Sequence, residues 1–153
     1  MGKGKAHRWI VPVLVALATS AFAADIGRVK AVKGEVTLVR AGQSIVAAVG
    51  TPVQAGDVVR TGPNASVGIT MVDETSLSAG PGSVLALDRL EYDPSARAGQ
   101  LDATLRTGTL AVVSGRIAKQ SPEAMTLRTP LAILGVRGTE FVVSAHEPML
   151  ANH

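Results

Sequence analysis

Glycine punctuates this chain so often, and between such short apolar runs, that few folds remain open to it. Past residue 24 it stands at 27, 34, 42, 50, 56, 62, 68, 80, 82, 99, 108, 115, 135 and 138. Those positions supply corners that β-branched residues cannot make. Between them the apolar residues alternate. Val36 and Leu38 form one such run, and Val67, Ile69 and Met71 another. Leu77 and Ala79 follow Asp73-Glu74-Thr75, which reads as a hairpin or corner. Leu85 and Leu87, then Leu101, Ala103 and Leu105, then Leu110 and Val112, then Phe141 and Val143 repeat the theme. A period of two over short runs predicts strands, and helical periodicity is almost absent. The expected fold is all-β: a solenoid, a sandwich or a barrel.

An internal echo favours the solenoid. Val59-Arg60-Thr61-Gly62, Leu105-Arg106-Thr107-Gly108 and Leu127-Arg128-Thr129-Pro130 share one pattern, with spacings of 46 and 22 residues. Two periods and one period of about 22–23 residues are what stacked coils give. The expectation is therefore a right-handed parallel β-helix in a single domain, with a β-sandwich as the alternative. Residues 88–99 (DRLEYDPSARAG) are the most polar stretch and are predicted to be a long surface loop.

The first 23 residues read differently. Lys3, Lys5, His7 and Arg8 come without an acid, an apolar run follows from Ile10 to Ala18, and Ala21-Phe22-Ala23 precedes Ala24. Basic, apolar, then small is the order that a signal peptidase needs. The apolar run falls short of the roughly 20 residues of a membrane span. A signal-peptide helix over 1–23 is expected, cut after Ala23, with export to the periplasm or beyond by the general secretory route. Nothing later in the sequence is apolar enough to span a membrane. The mature part divides into a β domain over 24–148 and a short tail over 149–153.

Composition then excludes several functions. Of the fifteen Lys and Arg residues three lie in the leader, leaving twelve against twelve acids. A mature chain of formal charge near zero has no field for nucleic acid. Trp9 and Phe22 fall in the leader, so Tyr92 and Phe141 are the remaining aromatics, too few for stacking platforms. With no cysteine there are no disulfides, thiolate metal sites or Cys nucleophile. Gly80-Pro81-Gly82-Ser83 is a turn and lacks the frame of a nucleophile elbow or a dinucleotide loop. His146 and His153, seven apart near the C-terminus, make a poor metal pair. Asp73, Glu74, Asp88, Glu91 and Asp93 sit at expected turns, where carboxylates serve their own backbone. Asp57, after Gly56, reads as a turn carboxylate capping neighbouring amides. Thr61, Thr107 and Thr129 would place hydroxyls on turn amides. Arg60, Arg106 and Arg128, if equivalent, would stack as a like-charge ladder, solvated or paired with acids such as Asp57 and Asp102. An anion-binding interaction stripe is the functional version of that arrangement. No enzyme, cofactor or metal is expected.

Several segments resemble the FecR domain, a periplasmic module named after a regulator of ferric-citrate uptake. They are Gly34-Glu35-Val36, then Gly50 through Val53 leading to Gly56-Asp57-Val58-Val59-Arg60-Thr61-Gly62, and Ala65-Ser66-Val67-Gly68-Ile69 with Asp73-Glu74-Thr75-Ser76-Leu77. Leu105 through Leu110, Leu127 through Pro130, and Val136-Arg137-Gly138-Thr139-Glu140-Phe141 complete the set. Glu74 stands where that turn would suit a glycine. The resemblance implies a parallel β-helix core and no catalysis. In the regulator a cytoplasmic segment controls a sigma factor, and the periplasmic part senses an outer-membrane transporter. Here a leader is expected in place of the cytoplasmic segment and anchor. The motif residues Gly56, Asp57, Thr61, Gly62, Arg137, Gly138, Thr139 and Phe141 are expected to define the fold, with Gly138 at a corner and Phe141 in the core. The functional expectation is a recognition or sensory module that binds an envelope protein, with a cell-wall or polysaccharide binder as the alternative.

Overall fold

The computed structural model describes Gly4 and residues 24–96, 98–136 and 139–146. Twelve strands form one sheet that curls on itself. They are β1 (Asp25–Lys33), β2 (Val36–Arg40), β3 (Gln43–Val46), β4 (Pro52–Gln54), β5 (Val58–Thr61), β6 (Ser66–Met71), β7 (Ser76–Ala79), β8 (Val84–Asp93), β9 (Ala98–Val113), β10 (Met125–Arg128), β11 (Ile133–Gly135) and β12 (Glu140–Ala145). Between β9 and β10 lie one short helix, α1 (Arg116–Gln120), and a 3-10 turn over Pro122–Ala124. The spatial order is β3-β2-β5-β8-β9-β7-β6-β1-β4, with β10–β11 and β12 added along β9.

The strand pattern follows the alternation of the sequence. In β6 every second residue is buried, placing Val67, Ile69 and Met71 inside. Leu38 of β2, Val59 of β5, Leu85 and Leu87 of β8 and Leu77 of β7 join them in one continuous core. Strand β9 organises the whole. Its first part pairs with β8 on one side and β10 on the other, and its last part pairs with β7 and β12. Its buried residues change parity along the way, from Leu101, Ala103 and Leu105 to Leu110 and Val112. The β8 pairing slips at the same place, with Val84 opposite Thr107 and Leu85 opposite Leu105. An extra residue in a strand flips the side chains that follow it, so one strand serves both parts of the curled sheet.

The expected parallel β-helix is not what the chain forms. Every pairing is antiparallel except that of β9 with β10. The reason lies in the turns, which reverse the chain instead of bending it round a corner. At the β2–β3 connection Ala41 and Gly42 both have positive φ, 49° and 77°. Two such residues make the tight hairpin turn whose twist matches antiparallel strands. The echo also has another meaning. Thr61-Gly62 at the end of β5 and Gly108-Thr109 in β9 both pack on the turn at 80–83 that leads into β8. The third copy is out of step, since Leu127 pairs with Ala103 and not with Leu105.

Residues 88–93 and 98–99 are the paired strands of a hairpin instead of a loop. Arg89 pairs with Asp102, Glu91 with Gln100 and Tyr92 with Gly99. The ribbon is polar on both faces near its tip, which is why alternation did not reveal it. Gly99 takes the close approach of Ile117 from α1, whose Cγ1 lies 2.7 Å from where a Cβ would stand. The leader expected over 1–23 lies, except for Gly4, outside the described residues, Ala21 and Ala23 of its cleavage site included, as do Arg137 and Gly138. Ala24 is exposed ahead of β1. No helix among the described residues is long and apolar enough to cross a membrane.

Candidate interaction surface

The polar residues singled out by the sequence fall into two groups: side chains bound up in the fold, and side chains left outside it. Asp57 belongs to the first. Its side chain is 1% exposed and accepts Nε of Arg40 at 2.9 Å and a second guanidinium nitrogen at 2.7 Å. It also accepts the Gln54 backbone N–H at 2.8 Å across the turn that contains Gly56, whose φ is 90°. The partner is thus Arg40, which no motif marked, and not Arg60, Arg106 or Arg128.

Thr61 is equally committed. Its hydroxyl donates to the Gly80 carbonyl at 2.6 Å and accepts the Ser83 N–H at 2.8 Å. Ser83 in turn donates its hydroxyl to the Thr109 carbonyl at 3.2 Å and accepts the Thr109 N–H at 3.1 Å. Gly62 donates its N–H to Glu35 at 2.9 Å. A third lock joins the β6–β7 turn to α1. Asp73, fully buried, accepts the Thr75 N–H at 3.1 Å, the Thr75 hydroxyl at 2.7 Å and the Ile117 N–H at 3.2 Å. Gly115 lies against this turn so closely that a Cβ would fall 2.5 Å from the Asp73 carbonyl oxygen. Sequence reasoning placed Asp73 on its own turn; the long-range bond to Ile117 had no signal, because its partner is a backbone amide.

Thr139 is exposed, and its carbonyl accepts the Ser114 N–H at 2.8 Å. Phe141 pairs with Val112 and packs against the core while staying half-buried. Thr129 accepts the Ala132 N–H at 3.1 Å in the β10–β11 turn.

What remains for contact with other molecules is on the surface. Arg60, Arg106 and Arg128 are exposed on β5, β9 and β10. They do not form a ladder: Arg60 is level with Val84, Val84 with Thr107, and Arg128 with Thr104. They lie scattered over a sheet surface that also carries Asp88, which accepts the Thr104 hydroxyl at 2.6 Å, and Asp102. The second surface feature is apolar. Leu131 is 81% exposed, Ile133 71% and Val142 70%; all three belong to the β10–β11 hairpin or to β12. The run Leu131-Ala132-Ile133-Leu134 after Pro130 was the available signal, since apolar neighbours without alternation cannot all turn inward.

A family model described as FecR protein matches residues 57–151, well over half of the chain. No curated protein and no solved structure matches it.

Proposed function

We propose that this chain, which belongs to the FecR family, is a non-catalytic recognition or sensory module of the cell envelope that binds another envelope protein. The family match over 57–151 supports a periplasmic-type regulatory role. The observation that carries the non-catalytic part is the state of the buried polar groups. Asp57, Thr61, Asp73, Thr75 and Ser83 are bound to the fold's own partners. No buried side-chain nitrogen or oxygen among the described residues is left without a hydrogen-bond partner. Side chains so committed lock turns and are not poised for general acid–base work, which needs a group in reach of a substrate. The order of basic, apolar and small residues over 1–23 supports export with cleavage between Ala23 and Ala24. Determining the N-terminus of the cell-derived chain tests the export step, and covalent capture of its contacts in intact cells tests recognition. A cleaved, stable chain with no protein contact removes the reading.

A second reading, a cell-wall glycan binder, draws on the exposed Arg60, Arg106 and Arg128, which suit an anionic polymer. Co-sedimentation with purified peptidoglycan at low salt tests it, and failure to pellet ends it.

A further inference from the structure

The apolar surface at β12 lies along an edge of the sheet. Strand β12 pairs with β9 on one side, and among the described residues its other edge has no partner. Natural edges are blunted by proline, charge, bulges or shortness. Strand β4 has three residues and begins with Pro52, β11 has three, and β3, also without proline or charge, has four. Strand β12 runs for six residues without proline, with Glu140 as its single charge. Phe141 and Val143 pack against the core, yet both stay half-buried.

At its C-terminal end β12 stops short of β10. Arg128 of β10 faces Thr104 and Ala145 of β12 faces Gly108. Among the described residues, 105–107 of β9 therefore have a strand neighbour only in β8. The β10–β11 turn and the end of β12 enclose a notch of about 330 Å³ whose lining includes Thr129, Leu131, Leu134, Val143, Ala145 and His146. Arg106 lies in the β9 segment opposite the break, and Arg128 directly precedes Thr129. Among the described residues the edge thus has an acid, Glu140, at one end and the apolar notch with His146 at the other.

We infer that this edge takes one extended segment of a partner protein, added antiparallel to β12 as a further strand. The inference rests on the recognition reading above. The register fixes the chemistry. Facing Ala145, Val143 and Phe141, the incoming segment carries apolar side chains, and the first of these enters the notch. Beyond it an acidic residue falls opposite His146, at the end where the backbone of Arg128 leads into Thr129 of the notch, and a basic residue falls opposite Glu140. Main-chain bonds supply affinity and the alternate side chains supply selectivity, as in other strand additions.

The probe is the peptide acetyl-DLTVTVK-amide, whose leucine falls opposite Ala145 and whose lysine falls opposite Glu140. It is titrated into the purified chain and followed by NMR and by amide exchange. Saturable changes confined to 131–135 and 140–146, with new protection of β12 amides, are expected. The charge-reversed acetyl-KLTVTVD-amide is expected to bind about three- to tenfold more weakly, the size of two rim ion pairs. A version with proline for the central valine is expected not to bind. The chain variant Leu131→Asp changes an exposed side chain, leaves folding intact, and is expected to lose most of the affinity. Absence of changes at millimolar peptide, changes at another face, or self-association of the chain through β12 in sedimentation overturns the inference. If in-cell capture yields an envelope protein while this edge stays silent, recognition stands and only the docking site falls.

Discussion

The carboxylate of Asp73, wholly buried in the turn between β6 and β7, accepts the backbone N–H of Ile117, forty-four residues along the chain, at 3.2 Å. The same carboxylate also holds the backbone and hydroxyl of Thr75. Asp73→Ala leaves those donors buried without an acceptor. It is expected to cost about 2–4 kcal/mol, since charge-assisted bonds and unmet buried donors each weigh more than an ordinary bond. Urea unfolding measures the loss, and faster amide exchange at α1 in the folded state locates it.

Asp57 and Arg40 make the second such test. Arg40→Ala strands a buried carboxylate with the Gln54 amide as its remaining partner. A destabilisation of about 2–3 kcal/mol is expected. Arg40→Lys recovers only part of it, because an ammonium cannot reproduce the two-pronged contact. The same unfolding experiment ranks the three chains.

Glu74 occupies the left-handed region at φ 72°, as the turn's preference for glycine led one to expect. Its ion pair with Arg116, at 3.2 Å, is exposed on both sides and is worth little. Glu74→Gly is therefore expected to range from neutral to about 1 kcal/mol stabilising, strain relief outweighing the freedom that glycine adds to the unfolded chain. Glu74→Val, β-branched at the same φ, is expected to lose about 1–2 kcal/mol. Thermal unfolding gives the order Gly, Glu, Val.

Gly108 has φ 99°, and a Cβ there would sit 2.5 Å from the Ser83 Cα. Gly108→Ala combines a backbone penalty with overpacking of the lock that Ser83 forms with Thr109, and about 3 kcal/mol is the expected cost.

Acid sensitivity has one local marker. The Ser95 hydroxyl, followed by the Ser95 and Ala96 amides, holds the Asp93 carboxyl below the usual carboxylate range. A depressed folded value means that its contribution is present above the ordinary carboxylate range and is lost as pH falls through the folded value. NMR titration of Asp93 should give a midpoint below that of the unfolded chain, and Ser95→Ala should bring the two closer.

How much of this was legible differs by feature. Alternation exposed the core strands, because Val67, Ile69 and Met71 face one way for a simple steric reason. Strand direction was hidden. Three copies of apolar-Arg-Thr suggested stacked coils, but direction is set by turn geometry such as that at Ala41-Gly42, which needs φ values and not residue counts. The ribbon at 88–99 was missed because, beyond Leu90 and Tyr92, which pack on the core, its residues are mostly polar and carry no apolar rhythm. Of the site residues, Asp57 read as a cap, while Arg40 stood in an ordinary run with nothing to mark it as a partner. The notch at Leu131 and Val143 brings the β10–β11 turn against the end of β12, a tertiary fact of which the apolar run at 131–134 was the one local trace.

The most direct test of the central claim is covalent capture by the tagged chain in intact cells, followed by identification of the captured species. The account predicts one defined envelope protein, which when tagged itself recovers this chain in return. Capture of peptidoglycan fragments alone, or of nothing from a stably exported chain, contradicts it.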